Sequence, residues 1–266
     1  MSETEPVLYS CDAAGVVTLT LNRPEVRNAL NPALLDRLEK LLVDLHRTGQ
    51  TRAVILKGAG EGFMAGGDIS YFHDQRRSGP NPTLFGQLLG QINTVTRLLR
   101  TLPVPVVVAV QGACAGYGLS LMLAADLAIA ADTACFTFAY PRLGQSPDGA
   151  ASWQLVRTIG LRRAMGFALL DEPMDAQTAL SLGLVNRVVA ASDLEQTVQS
   201  VADKLANGPA LAYGSTKLLF QLAAESAMGT ALEAEAEEFT RLSNSADFLE
   251  GITAFKEKRA AKFRGE

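Results

Sequence analysis

Up to about residue 190, short apolar runs alternate with leucine-periodic segments, and that alternation restricts the chain to an α/β arrangement. "GVVTLTLNRP" (15–24) is β-branched with period two and stops at Pro24, so it predicts a strand. "NPALLDRLEKLLVDLHRTG" (31–49) opens with a capping Asn31 and with Pro32 at the first helical position. Leu34, Leu35, Leu38, Leu41, Leu42 and Leu45 then recur at helical spacing. "TRAVILKG" (51–58), "PVVVAVQG" (105–112) and "DLAIAAD" (126–132) read as buried strands, and "TLFGQLLGQINTVTRLLRTL" (83–102) as a helix ending before Pro103. From Ser192 the strand signals stop. Four helical segments follow, the first closed by Gly208 and the last, "SADFLEGITAFKEKRAAKF", running to residue 263. The expected division is a core over 1–195 and a helical C-terminal region over 196–266.

Composition excludes several classes. The 266 residues, 48% of them hydrophobic, suffice for a full core without staples. Cys11, Cys114 and Cys135 are odd in number and sit in no metal-like spacing, and His46 and His73 are too few for a histidine metal centre, so neither disulfides nor a metal site is expected. No stretch reaches the ~20 apolar residues that span a bilayer, which argues against a membrane partner. "MSETEPVLYS" resembles no signal or transit peptide and "KFRGE" no peroxisomal address, so the expected location is cytoplasmic. Net charge is −4; residues 251–266 carry five basic and two acidic groups, +3, leaving −7 elsewhere. An acidic chain with no accompanying basic face argues against nucleic acid. The cationic tail reads as helix-dipole charge or as a place to meet an anion or a neighbouring subunit.

In "AVQGACAGYGLSLMLAAD" (109–126) Gly112, Gly116 and Gly118 fall within seven residues, between an apolar strand and an apolar helix-like segment. Such spacing removes side chains where something approaches the backbone closely.

Several segments together resemble the crotonase superfamily, the enoyl-CoA hydratase/isomerase family. They are "LTLNRPEVRNALN" (19–31), "ILKGAGEGFMAGGDIS" (55–70), "AVQGACAGYGLSLMLAADLAIAA" (109–131), "FAYPRLGQSPDGAASWQLVRTIG" (138–160), "ALSLGLVNRVV" (179–189) and "EGITAFKEKRAAKF" (250–263), in family order over nearly the whole chain. The resemblance implies a spiral of ββα turns with a C-terminal helical trimerisation region. It implies an acyl-CoA substrate, no cofactor beyond that coenzyme A, and a homo-oligomer, either a trimer or a dimer of trimers.

It also implies roles. Two backbone amides, Gly67 of "AGGD" and Tyr117 of "AGYG", would stabilise charge on the thioester oxygen, and one such donor is worth ~10²–10³ in rate. Ser120 stands where hydratases of the family carry a glutamate, and Arg142 falls near the place of the second, so the two-carboxylate hydration mechanism is not expected. Asp148 matches the aspartate of isomerase-like members, with a double-bond shift as its chemistry. Its residues alone also read as the centre of a type I turn, Pro147–Asp148, or as a helix cap. Ala65, Gly66, Asp68 and Ile69 would line the adenine and pantetheine path, although Asp68 also reads as a cap for a helix at Ile69. Arg27 matches a basic position near the CoA phosphates or is a solvated charge. Phe255 and Lys258 match positions that reach a neighbour's nucleotide or belong to an amphipathic terminal helix. His46 and His73 read as incidental, and Phe138, Tyr140 and Trp153 as pocket wall or core. The expectation is an enoyl-CoA isomerase-like enzyme with Asp148 as the shuttling base. The alternatives are a hydrolase or dehalogenase with an aspartate nucleophile, another hydratase-family chemistry, or a non-catalytic thioester binder.

Overall fold

The computed structural model describes residues 5–266; the first four residues of the N-terminal stretch read above lie outside them. The chain opens with the antiparallel pair β1 (Val7–Cys11) and β2 (Val16–Leu21). Helix α1 (Pro32–Thr48) starts where the Asn31 side chain accepts the Leu34 N–H at 2.9 Å and stops at left-handed Gly49, with its six periodic leucines buried. β3 (Ala53–Gly58), α2 (Ile69–Arg77), α3 (Pro82–Thr101), β4 (Val106–Val110), β5 (Ala113–Ala115), α4 (Tyr117–Leu123), β6 (Leu127–Ala131) and β7 (Cys135–Thr137) follow. After them come α5 (Ala151–Ile159), α6 (Leu161–Leu170), β8 (Met174–Asp175), α7 (Ala176–Ser181) and β9 (Arg187–Val189). The chain closes with α8 (Leu194–Ala206), α9 (Ala210–Ala223), α10 (Met228–Ser243) and α11 (Ala246–Glu257).

Two sheets organise these elements. The larger has order β1-β2-β3-β4-β6-β9, parallel from β2 onward, and the smaller has order β5-β7-β8. Each turn of chain gives one strand to the large sheet, the next to the small one, and then a helix: β4, β5, α4, and again β6, β7, α5. In the turn begun by β3, Met64 bridges to Cys114 in place of a full strand. The result is a spiral of ββα turns, as the resemblance implies.

Both faces of the large sheet are buried, as parallel sheets require. Val17, Leu19, Leu21, Val54, Leu56, Val106 and Val108 face the core shared with α1 and α3. Their alternates Val16, Ile55, Val107, Ala109 and Ile129 face Leu194, Val198, Ala202 and Ala206 of α8. Helix α8 thus spans residue 195 and covers the sheet.

The last helix ends earlier than its periodicity predicts. Lys258 turns left-handed (φ 54°), and the tail folds back until the Asp247 carboxylate accepts the N–H groups of Arg264 (2.7 Å) and Gly265 (2.8 Å). Arg259 pairs with Glu250 and Glu257, so part of the cationic tail is neutralised internally. All three cysteines are free, and no helix among the described residues is long and apolar enough to cross a membrane.

Candidate active site

The first glycine loop, 58–68, is held from the segment before α1. Asn28 is fully buried and left-handed (φ 57°); its Oδ1 accepts the Arg23 N–H, and its Nδ2 donates to the carbonyls of Ala59, Gly62 and Phe63 at 2.9–3.0 Å. Ala65 N–H donates to the Arg27 carbonyl, and Leu30 and Gly67 form a parallel bridge. Asp68 caps α2 by accepting the Tyr71 N–H at 3.1 Å and pairs with Arg23 at 2.9 Å.

The second loop lies directly on the first. A β-carbon at Gly118 would come within 2.5 Å of the Met64 carbonyl oxygen, and one at Gly116 within 3.4 Å of the Gly66 Cα. The close approach that the glycines permit is therefore backbone on backbone, loop on loop. It leaves two amides unused: among the described residues neither the Gly67 nor the Tyr117 N–H has a hydrogen-bond partner. The Tyr117 N–H is free because Tyr117 is the first residue of α4. Its ring is buried, with the phenol 3.5 Å from Thr96 Oγ1, and burial pushes that phenol's pKa up.

Asp148 neither centres a type I turn nor caps a helix. The turn runs from Asp148 to Ala151, whose N–H returns to the Asp148 carbonyl, and its central residues Gly149 (φ 51°) and Ala150 (φ 64°) are both left-handed. That is type I′ geometry, which needs a positive φ at both central positions; glycine takes the first freely, and Ala150 holds the second against its side chain's preference. Gly149 is also sterically confined, since a β-carbon there would stand 2.8 Å from the Tyr117 ring and 2.9 Å from Ser120 Cβ.

The turn aims the Asp148 carboxyl at Tyr140, whose hydroxyl donates to Oδ1 at 2.7 Å. Ser120 lies beneath, fully buried, donating to the Asp148 carbonyl at 3.0 Å and standing 3.1 Å from the Tyr140 oxygen. Burial pushes the Asp148 pKa up, and the Tyr140 hydrogen bond pulls the other way. Burial and the adjacent Asp148 charge push the Tyr140 phenol far up, which keeps it a proton donor. The sequence placed Tyr140 as wall or core; its bond to Asp148, eight positions away, has no local signature.

These groups meet in one cleft of about 890 Å³. Ala65, Gly66, Gly67, Ile69, Tyr117, Tyr140 and Asp148 are all on its walls. The rest is largely apolar: Phe72 and Phe85 edge to face at 5.6 Å, with Leu88, Leu89 and Ile92 of α3. Among the described residues Asp148 is the one carboxylate on those walls. His73 and Arg76 line the cleft from α2. Asp68 and Arg27 do not; Arg27 is exposed and left-handed, and its carbonyl, not its guanidinium, holds the loop. Phe255 and Lys258 stand exposed at the end of α11, outside the cleft. Arg142 is tied to Asp171 instead of entering the site.

Comparison with known proteins is consistent along the chain. A family model described as enoyl-CoA hydratase/isomerase matches residues 12–266. A Rhodobacter capsulatus protein named "Probable enoyl-CoA hydratase" is 39% identical over 252 residues, covering 94% of this chain and 95% of its own. The 1,2-epoxyphenylacetyl-CoA isomerase of Escherichia coli K12 is 38% identical over 252 residues, covering 95% and 96%. The crystal structure of an enoyl-CoA hydratase from Polaromonas sp. JS666 superposes with TM-score 0.92 at 33% identity, covering 97% of this chain and 99% of that one. The relatives' names include both hydratases and isomerases.

Proposed function

This chain belongs to the enoyl-CoA hydratase/isomerase family, and we propose that its reaction is transposition of a double bond, 3-enoyl-CoA to 2-enoyl-CoA. The observation that carries this reading is the single carboxylate on the cleft walls, Asp148, beside two unpaired amides. Hydration needs two acid–base groups to hold and split a water; a 1,3-proton shift needs one.

In this reading the thioester oxygen accepts hydrogen bonds from the Gly67 and Tyr117 N–H groups. Asp148 takes a proton from C2, and the C–H electron pair moves toward C1, placing charge on the oxygen as a dienolate. The dienolate then takes the same proton back at C4, the C2=C3 bond forms and the carbonyl is restored. Atoms and charge balance without another reactant. The raised Asp148 pKa suits a group that must both accept and return a proton. Preorganised amides in a largely apolar cleft require no reorganisation when the charge appears.

Phe72, Phe85, Leu88, Leu89 and Ile92 suit an apolar acyl group, and the Ala65–Gly66 and Ile69 edge suits the pantetheine arm. Arg27, Phe255 and Lys258 are proposed nucleotide contacts, the last two across a subunit boundary. Exposed Phe220, Met228, Phe239 and Phe255 along α9–α11 support a trimer or dimer of trimers, which sedimentation velocity tests directly. A nucleophilic role for Asp148 gains a histidine at the cleft wall, His73. It requires a covalent ester, visible as a mass increase of the intact protein during turnover.

The deciding assay follows absorbance of the conjugated thioester. A 3-enoyl-CoA is expected to gain the 2-enoyl signal, Asp148→Asn to slow that gain by roughly 10²–10⁴, and a 2-enoyl-CoA to persist in the presence of the protein. Rapid hydration of the 2-enoyl-CoA with no isomerisation rejects the reading.

A further inference from the structure

We propose that Tyr140, supported by Ser120, is a positioning residue that assigns the two oxygens of Asp148 different duties: Oδ1 is locked and Oδ2 is left to carry the proton. This deepens the isomerase reading and rests on it for its catalytic consequence.

Three contacts build the arrangement. The Tyr140 hydroxyl donates to Oδ1 at 2.7 Å, Ser120 Oγ lies 3.1 Å from the Tyr140 oxygen, and Ser120 donates to the Asp148 main-chain carbonyl at 3.0 Å. Tyr140 is only 6% exposed and Ser120 fully buried, so neither competes with bulk water for these partners. The Tyr140 ring is fixed edge-on to Phe138 at 5.0 Å, and Phe138 in turn to Phe167 at 6.3 Å. Oδ2 has no protein partner among the described residues, and the carboxyl lines the cleft. A carboxylate that lifts a proton at one carbon and returns it at the next carbon but one gains from a single fixed working oxygen. Free rotation would present either atom at random, and misplacement of the order of 1 Å costs about 10²-fold in rate.

A phenol donating to Oδ1 favours the ionised carboxylate over the acid. Removing it should therefore make Asp148 harder to ionise. The titratable groups near Asp148 are Tyr140 itself and Tyr117 of α4, both held protonated by burial. From α2, His73 and Arg76 face the cleft; Arg142 of the same loop is engaged by Asp171; α5 brings neutral Gln154 against the Ser120 and Gly149 carbonyls, while its Arg157 and Arg100 of α3 lie over the Trp153 ring.

The test has two arms. In protein labelled with ¹³C at the aspartate γ-carbon, the resonance lost in Asp148→Asn is that of Asp148, whatever the enzyme catalyses. In Tyr140→Phe that resonance is expected to titrate at higher pH than in the native chain, and in Ser120→Ala to shift less, in the same direction. The shift should persist in a His73→Gln background. In turnover, Tyr140→Phe is expected to lower kcat about tenfold with little change in KM, and to move the acid limb of kcat/KM upward. Superimposable titrations of native chain, Tyr140→Phe and Ser120→Ala overturn the proposal even if isomerisation is intact. Failure of the native chain to isomerise rejects the reaction assignment instead, and the titration still decides the role of Tyr140.

Discussion

The backbones of Gly66 and Gly116 lie against each other, so that a β-carbon on either would stand 3.4–3.5 Å from the other's Cα. This contact seats the two glycine loops together and brings the Gly67 and Tyr117 amides to one cleft. Gly116→Ala must also adopt φ 53° with ψ −124°, outside the left-handed helical region and unfavourable by about 1–3 kcal/mol for a residue with a side chain. Its expected effect is a drop of ~10²–10³ in kcat/KM as one amide leaves its place. Gly90→Ala on α3, with nothing within 4 Å of the new methyl, is the control, and urea unfolding should find it more stable by about 0.5–1 kcal/mol.

Ser120→Glu should not produce a hydratase. Ser120 is walled in by the Gly149 backbone, the Tyr140 hydroxyl and the Asp148 carbonyl. A longer, ionisable chain has no volume there, and overpacking with a buried carboxyl costs about 3 kcal/mol or more. Urea unfolding should give a lower midpoint, and no 3-hydroxyacyl-CoA should form from a 2-enoyl-CoA.

Asp148→Asn should trade activity for stability. Burial raises the Asp148 pKa above its unfolded value, so the folded chain binds that proton more tightly. Stability therefore falls as pH rises through the unfolded and then the folded pKa. Asparagine can still accept the Tyr140 hydrogen bond but never charges. The variant should melt close to the native chain at about pH 3 and above it at about pH 8, while losing roughly 10²–10⁴ in turnover.

Lys217→Ala should be the most destabilising change outside the site. Lys217 of α9 reaches Asp126 at 2.8 Å, and Asp126 also accepts the Val106 N–H at 2.8 Å. Burial raises the Asp126 pKa and lowers that of Lys217, each opposed by its partner's charge. Truncating the lysine leaves a largely buried carboxylate with only the Val106 N–H and the more distant Arg100 charge, a loss of about 2–4 kcal/mol after allowance for partial exposure. Asp126→Asn, which keeps an acceptor for Val106, should cost less in the same urea experiment.

The legible parts were those encoded in neighbouring residues. The leucine period and Asn31–Pro32 start of α1, the runs that became β2, β3, β4 and β6, and the order of the motifs could all be read along the chain. Strands β5, β7, β8 and β9 could not, because two or three residues carry no period and exist through pairing with distant partners. Asp68 reads in sequence as path lining or as a cap; the fold shows the cap, and adds an Arg23 pair that no local pattern announces. The helical pattern of α11 continues past Lys258, but there the tail's return to Asp247 outweighs propensity and the helix stops.

The residue types therefore settled the α/β class, the glycine spacing of the two loops and the family resemblance, since each is a pattern of period or composition in contiguous sequence. Folding settled which groups share a cleft. Ser120, Tyr140 and Asp148 are eight to twenty-eight positions apart, and what joins them is a type I′ turn, a buried phenol and a glycine without room for a methyl. Hydrogen bonds and burial act over a few ångströms of space, and that proximity exists only once the spiral has closed.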